Sequence, residues 1–294
     1  MLFLISLLLD GILSGAVYTL IALAFVVVYK ASRMINFALG EWAMLGSRLS
    51  ATGTYAMGLG LAGGIGFGCA GTVAVALVFN RLVLRRLVGQ PLISAIMVTL
   101  GLGALMRGAA PLVFGDTPYA VAVPLRPDPI ALAGVLLATE KVLAATIAAV
   151  CVAAVSLFFR LSRTGIALRA IADDQQGAMA AGINVHPHFS IAWALMGLIS
   201  VLAGSLWALV SGGGFGVVLV GLKVFPIVIL GGLDSIPGTI VGAMVIGTME
   251  SLTAGYLDPL VGAGFSSVAS YLLLIAALFA RPYGIFGRPA IERV

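Results

Sequence analysis

Apolar runs of membrane-span length, cut by sparse charges, repeat along the whole chain. A helix needs about 20 mostly apolar residues to cross the hydrocarbon core of a bilayer. The first such run is the 19 uncharged residues between Asp10 and Lys30. A shorter one extends from Asn36 to Thr52 and carries Glu41 and Arg48. Further runs lie between Arg48 and Arg81, Arg86 and Phe114, Lys141 and Arg160, Phe189 and Val210, and Pro259 and Ala280. Between the last two, Lys223 to Glu250 is apolar but interrupted at GGLDSIPG (Gly231–Gly238) by Asp234 and Pro237. At 1.5 Å per residue that stretch is too short for two full crossings, which predicts a broken, partly re-entrant helix pair. The predicted fold is all-α, one polytopic membrane helix bundle over residues 1–294 with about eight transmembrane segments, one of them broken or re-entrant.

Two polar intervals punctuate this pattern. Residues 115–140 hold Pro118, Pro124, Pro127 and Pro129 with Asp116, Arg126 and Asp128, which reads as an extramembrane loop. Residues 160–188 form the longer one. Its Ala, Ile, Leu and Gln favour a helix from Thr164 to Ala181, with Gly182 as the stop. Arg169 and Asp173 stand at i, i+4 and can pair, while Ile166, Ala170 and Ile171 supply an apolar side. Such a helix either lies in the lipid interface or docks into a groove on a partner. Its shortage of bulky apolar residues favours the partner.

Composition narrows the class. Of 294 residues, 61% are apolar and only 9% charged, against about 25% charged in a soluble domain. Mean hydropathy is +1.17. A soluble enzyme, a nucleic-acid binder and a disulfide scaffold are all excluded. With the first loop (Lys30, Arg33) placed inside, eleven of the 16 Lys and Arg fall on that side. The positive-inside rule then puts the N-terminus outside and the C-terminus in the cytoplasm. The opening MLFLISLLLDG has no basic residue before its apolar run, so it reads as the start of a retained span rather than a cleaved signal.

Few residues are candidates for chemistry. Glu41, Arg107, Asp234 and Glu250 sit in or at the edge of spans, where ionisable groups are costly and point to function; the alternative is that each snorkels to an interface or caps a helix. Glycines at four-residue spacing (Gly11 and Gly15; Gly60, Gly64 and Gly68; Gly238 and Gly242) suit close helix packing. Cys69 and Cys151 read as small core residues. His186 and His188 lack companion ligands for a metal, and no Lys follows Gly as a Walker A loop requires. No catalytic residue, metal or cofactor is expected.

Four blocks resemble one family. SGAVYTLIALAFVVVYKASRMINFALGEWAMLGS (Ser14–Ser47), TGIALRAIADDQQGAMAAGINV (Thr164–Val185), MGLISVLAGSLWAL (Met196–Leu209) and GLKVFPIVILGGLDSIPGTIVGAMVIGTMES (Gly221–Ser251) are similar to permease subunits of bacterial ABC importers for branched-chain amino acids, the LivH type. Leu39 stands where the family commonly has His, and Asp234 where it commonly has Gly. The resemblance implies an inner-membrane importer subunit working with a second, paralogous permease, two cytoplasmic ATPase subunits and an extracytoplasmic solute-binding protein. It assigns Gly165, Arg169, Ala170, Asp173 and Gly182 to a coupling helix seated on the ATPase. It sets Asn36, Glu41, Gly231, Gly232, Asp234, Ser235 and Gly238 near the translocation path or its gates. The competing expectation is an ATP-independent secondary transporter or channel for small polar solutes.

Overall fold

The computed structural model describes residues 1–87, 91–115, 121, 123, 128–132, 134–212, 216–281 and 284–287. Among them are twelve α-helices: α1 (Leu2–Ser32), α2 (Leu39–Ala51), α3 (Gly60–Leu82), α4 (Leu92–Phe114), α5 (Thr139–Leu161), α6 (Arg163–Asp173), α7 (Gln175–Ala180), α8 (Val185–Ser211), α9 (Gly216–Gly231), α10 (Ile236–Tyr256), α11 (Asp258–Val261) and α12 (Phe265–Ala280). Six of the helical stretches are long and apolar enough to cross a membrane, and α9 and α12 are shorter apolar helices. A two-stranded antiparallel hairpin, β1 (Ile130–Leu132) and β2 (Val135–Leu137), lies in the loop before α5. The other loop residues that carried the reading of that segment (Asp116, Pro118, Pro124, Arg126 and Pro127) lie outside the described residues, as do Arg288 and Arg293 of the tail.

α1 is the axis of the bundle. Its side chains from Gly15 to Val28 are all buried, against α5, α8, α9 and α10. Gly11 and Gly15 let α10 approach at Thr248 and Met244, as their spacing predicts. Gly64 and Gly68 do the same for α3 against Ser50 of α2, whereas Gly60 faces open space. The outward faces of α3, α4, α5 and α12 carry exposed large apolar residues such as Val78, Leu105, Leu157 and Leu272, as lipid contact requires. Cys69 and Cys151 are unpaired and only half-buried, at the edge of the core rather than in it.

The two ends of the bundle differ. One end gathers the C-terminus of α1, the α6–α7 pair, the start of α8, the α9–α10 turn and the segment after α12, whose Phe286 N–H bonds the Gly231 carbonyl at 3.1 Å. The end of α3 joins it, because Asn80 Nδ2 donates to Ser190 Oγ at 2.8 Å. Lys30, Arg33, Arg81, Arg85, Arg86, Arg160, Arg163, Arg169 and Arg281 all belong to this end. The opposite end carries the start of α1 and the β-hairpin.

The broken region differs from expectation in extent. It covers Gly216 to Tyr256 rather than Lys223 to Glu250, so α9 is a short helix and α10 a full span. Charges normally stop a span, which would make Lys223 and Glu250 its ends. Here both lie inside helices and neutralise each other (Nζ to Oε2 3.0 Å).

Candidate functional sites

The segment that the resemblance assigns to coupling is two helices, not one. The stretch expected as a helix from Thr164 to Ala181 breaks at Asp174, whose extended backbone (φ −151°) lets its carboxylate accept from the N–H groups of Gln176 and Gly177, both at 3.0 Å. That is an N-cap, and it starts α7 at an angle to α6. Ser162 caps α6 in the same way, through Gly165 N–H at 2.9 Å. Gly165 is required there: a Cβ would stand 2.7 Å from Phe159 Cα, so the α5–α6 corner closes only on glycine. Gly182 ends α7 with φ +84°. Leu168 and Ile171 turn inward and are buried, while Ile166 and Asp173 face out. Arg169 and Asp173 do not form the ion pair their spacing allows; Arg169 is half-buried instead, and its Nε has no hydrogen-bond partner.

Arg169, Ala170 and Asp173 line a cleft of about 760 Å³. Asp234 and Ser235 of the α9–α10 turn line its other wall, with Lys30 and Arg33 from the end of α1. Lys30 Nζ bonds the Asp234 carbonyl at 2.9 Å, and Arg33 reaches the Asp234 carboxylate at 3.8 Å and the Ala172 carbonyl at 3.0 Å. The structure thus joins two groups of residues that the resemblance kept apart, the coupling helix and the GGLDSIPG turn. The glycines of that turn are packing positions. Gly231 and Gly238 face each other so closely that a Cβ on either would collide with the other's backbone, and Gly232 adopts φ +105°. Ser235 caps α10 through Gly238 N–H at 3.0 Å, and Pro237 fits in the first turn, where a missing N–H does no harm.

Asn36 and Glu41 lie apart from this cleft. Residues 34–38 are not helical, and the buried Asn36 Oδ1 accepts from Ala38 N–H at 3.0 Å just before α2 begins. Glu41, in the first turn of α2, is buried and paired with Arg107 of α4. α2 itself is wedged between α8 and α9, with Gly204 against the Ala43 carbonyl and Gly40 against Val218.

A third cluster escaped the sequence reading as a unit. Glu250 of α10 accepts from Tyr18 of α1 at 2.6 Å, from Ser270 of α12 at 2.9 Å and from Lys223 of α9 at 3.0 Å. Four helices meet at one carboxylate. Lys223 also lies over the Tyr18 ring, 5.2 Å from its centroid. The available signal was the complementary charge of Lys223 and Glu250, 27 residues apart.

A bundle of apolar, span-length helices with buried, compensated charges, a broken helix pair and an amphipathic helix pair at its basic end has the make-up of a polytopic membrane permease. The chain belongs to the family described as "Branched-chain amino acid transport system / permease component", whose model matches residues 7–278. It is 29% identical to the high-affinity branched-chain amino acid transport system permease protein LivH of Escherichia coli K12, over 97% of this chain and 96% of that one. It is 31% identical to the corresponding protein BraD of Pseudomonas aeruginosa, over 98% and 97%. Among solved structures, PsaBC from Streptococcus pneumoniae in complex with Fab shares the fold, with a TM-score of 0.51 and 17% identity over 95% of this chain and 94% of that chain.

Proposed function

We propose that this chain is a single permease domain of an ATP-driven importer that carries branched-chain or related small amino acids across the bacterial inner membrane. The observation that supports it most is the cationic end of the bundle, where nine Lys and Arg gather at the same end as the α6–α7 pair. By the positive-inside rule this end faces the cytoplasm, with the N-terminus outside and the C-terminus inside. The α6–α7 pair then meets two ATPase subunits, and Gly165, Arg169, Ala170, Asp173 and Gly182 form the coupling element. The opposite end receives the solute-binding protein, and a second, paralogous permease completes the path.

In this reading ATPase closure moves α6. Gly165 ties α6 rigidly to α5, and the cleft places α6 beside the turn of Gly231, Gly232, Asp234, Ser235 and Gly238, which acts as the gate. Asn36 and Glu41 border the path itself. The names of the relatives LivH and BraD support branched-chain substrates.

Uptake by the reconstituted complex with a panel of amino acids, with and without ATP, tests the proposal. ATP-dependent uptake of leucine, isoleucine or valine is expected. Flux through this chain alone, without nucleotide, would overturn it in favour of a secondary transporter, the reading that the buried Lys223–Glu250 pair favours. A charge reversal at the coupling helix, Arg169→Glu, should reduce ATPase co-purification at least several-fold while membrane insertion stays intact. Undiminished co-purification removes α6 from the interface.

A further inference from the structure

α4 packs against α2 on one side and leaves Leu100, Leu105 and Leu112 exposed on the rest of its surface. Those side chains suit lipid. Arg107 does not: its side chain is half exposed (50%) two turns before the helix ends. A guanidinium facing hydrocarbon there is strongly unfavourable, and such groups are found facing a water-filled path or a partner. Its counter-ion Glu41 is only 4% exposed. Glu41 also sits on a tightly packed helix, since α2 meets α9 and α8 through Gly40 and Gly204.

One turn before Arg107, Gly103 exposes the flank of the acid: a Cβ there would stand 3.2 Å from the Glu41 carboxyl carbon. Gly101 and Gly108 lie on the same exposed face of α4 as Leu105 and Leu112 and have no atom within 4 Å of where a Cβ would be. An ion pair that merely fastened α4 to α2 would not need the arginine to be half exposed.

We infer that Glu41 and Arg107 form a subsite on the permeation path that reads the two charges of a zwitterionic α-amino acid. The buried Glu41 carboxylate receives the α-ammonium, and the half-exposed Arg107 takes the α-carboxylate in a two-point hydrogen bond. At rest the two side chains neutralise each other, so neither is left as an isolated charge. This rests on the amino-acid permease reading above and adds the residues that contact the solute.

The test uses the reconstituted complex and leucine. The double variant Glu41→Gln/Arg107→Gln removes both charges at once and leaves no orphan. It should assemble with a thermal midpoint close to wild type and take up leucine at least tenfold more slowly. Near wild-type uptake would make the pair a structural clamp and overturn the inference. A second measurement holds whether or not that variant assembles. Gly108→Cys, in a Cys69→Ala/Cys151→Ala background, should react with a thiosulfonate several-fold more slowly in the presence of leucine. Isovalerate and isoamylamine, each carrying one of leucine's charges, should protect little. Equal protection by all three, or by none, refutes the two-charge reading. A wild-type complex that takes up no leucine with ATP overturns the functional reading instead, and is told apart because it involves no variant.

Discussion

The Lys223–Glu250 pair offers a quantitative test of how the short helix α9 is held. Both side chains are largely enclosed, at 20% and 11% exposure, so their desolvation is nearly complete. Removing one partner of a buried pair costs about 3–5 kcal/mol, because the other is left uncompensated. The two single variants should not be equal. Lys223→Met leaves Glu250 with hydroxyl donors from Tyr18 and Ser270 at 2.6 and 2.9 Å, so its loss should fall near 3 kcal/mol. Glu250→Gln leaves the Lys223 ammonium with the Tyr18 hydroxyl at 3.1 Å and the ring beneath it, and should approach 5 kcal/mol. The double variant buries no charge and should lie within about 2 kcal/mol of wild type, since replacing a whole buried pair is often neutral. The coupling energy, the two single losses together less that of the double variant, should therefore be about 6 kcal/mol. Unfolding by SDS in mixed micelles, followed by tryptophan fluorescence, measures it; Trp207 stacks on Tyr18 with centroids 5.5 Å apart and reports this region. Additive losses from the two single variants would refute the reasoning, showing each side chain to be solvated independently. A coupling near the roughly 0.6 kcal/mol average of interhelical hydrogen bonds in membranes would reduce the cluster to ordinary polar packing.

Two smaller predictions concern the loops. Asp174→Ala removes the α7 cap, which should cost about 1 kcal/mol and raise amide exchange over residues 175–180 while leaving α6 protected. Asp258, between α10 and α12, is subject to a desolvation effect that raises its carboxyl pKa, but the hydrogen bonds from the Ser266 backbone and hydroxyl and from Gly264 N–H outweigh it and hold the pKa below the usual range. A depressed folded pKa stabilises above the unfolded value and is lost as pH falls through the folded one. Protection of the Ser266 amide should thus hold from pH 7 down to about 4 and fall only below that; loss of protection between pH 6 and 5 would contradict it.

The long uncharged runs made α1, α5 and α8 readable, because span length is set by bilayer thickness and little else. Basic residues outside the spans were equally legible as a group, since nine of the predicted cytoplasmic set do share one end. What misled was the rule that a charge ends a span. It failed at Lys223 and Glu250, each of which is tolerable only because the other is opposite, and linear sequence does not display which helices face each other. The α6–α7 break had a local signal: in Asp173–Asp174–Gln175–Gln176 the second aspartate is a capping residue, which competes with continued helix. Among the candidate residues, spacing could not separate Gly231 and Gly238, which serve backbone contact, from Asp234, whose carboxylate and carbonyl face the cationic cleft.

These separate features converge on α9. At its start, Val218 and Gly221 lie against Gly40, next to Glu41. In its middle, Lys223 binds Glu250. At its end, Gly231 locks to Gly238 beside the cleft that α6 lines. Sixteen residues span about 24 Å, so one element reaches from the neighbourhood of Glu41 to the cationic end of the bundle. Tight glycine contacts at both ends leave little slack, since close-packed elements shift as units rather than deform. The charge pair between them ties α9 to α10 by a strong polar contact, which resists movement of one relative to the other. If α9 links the Glu41–Arg107 subsite to the ATPase end, Lys223→Met/Glu250→Met should alter the ATP hydrolysed per leucine imported, not only stability. An unchanged ratio would restrict the pair to holding the fold.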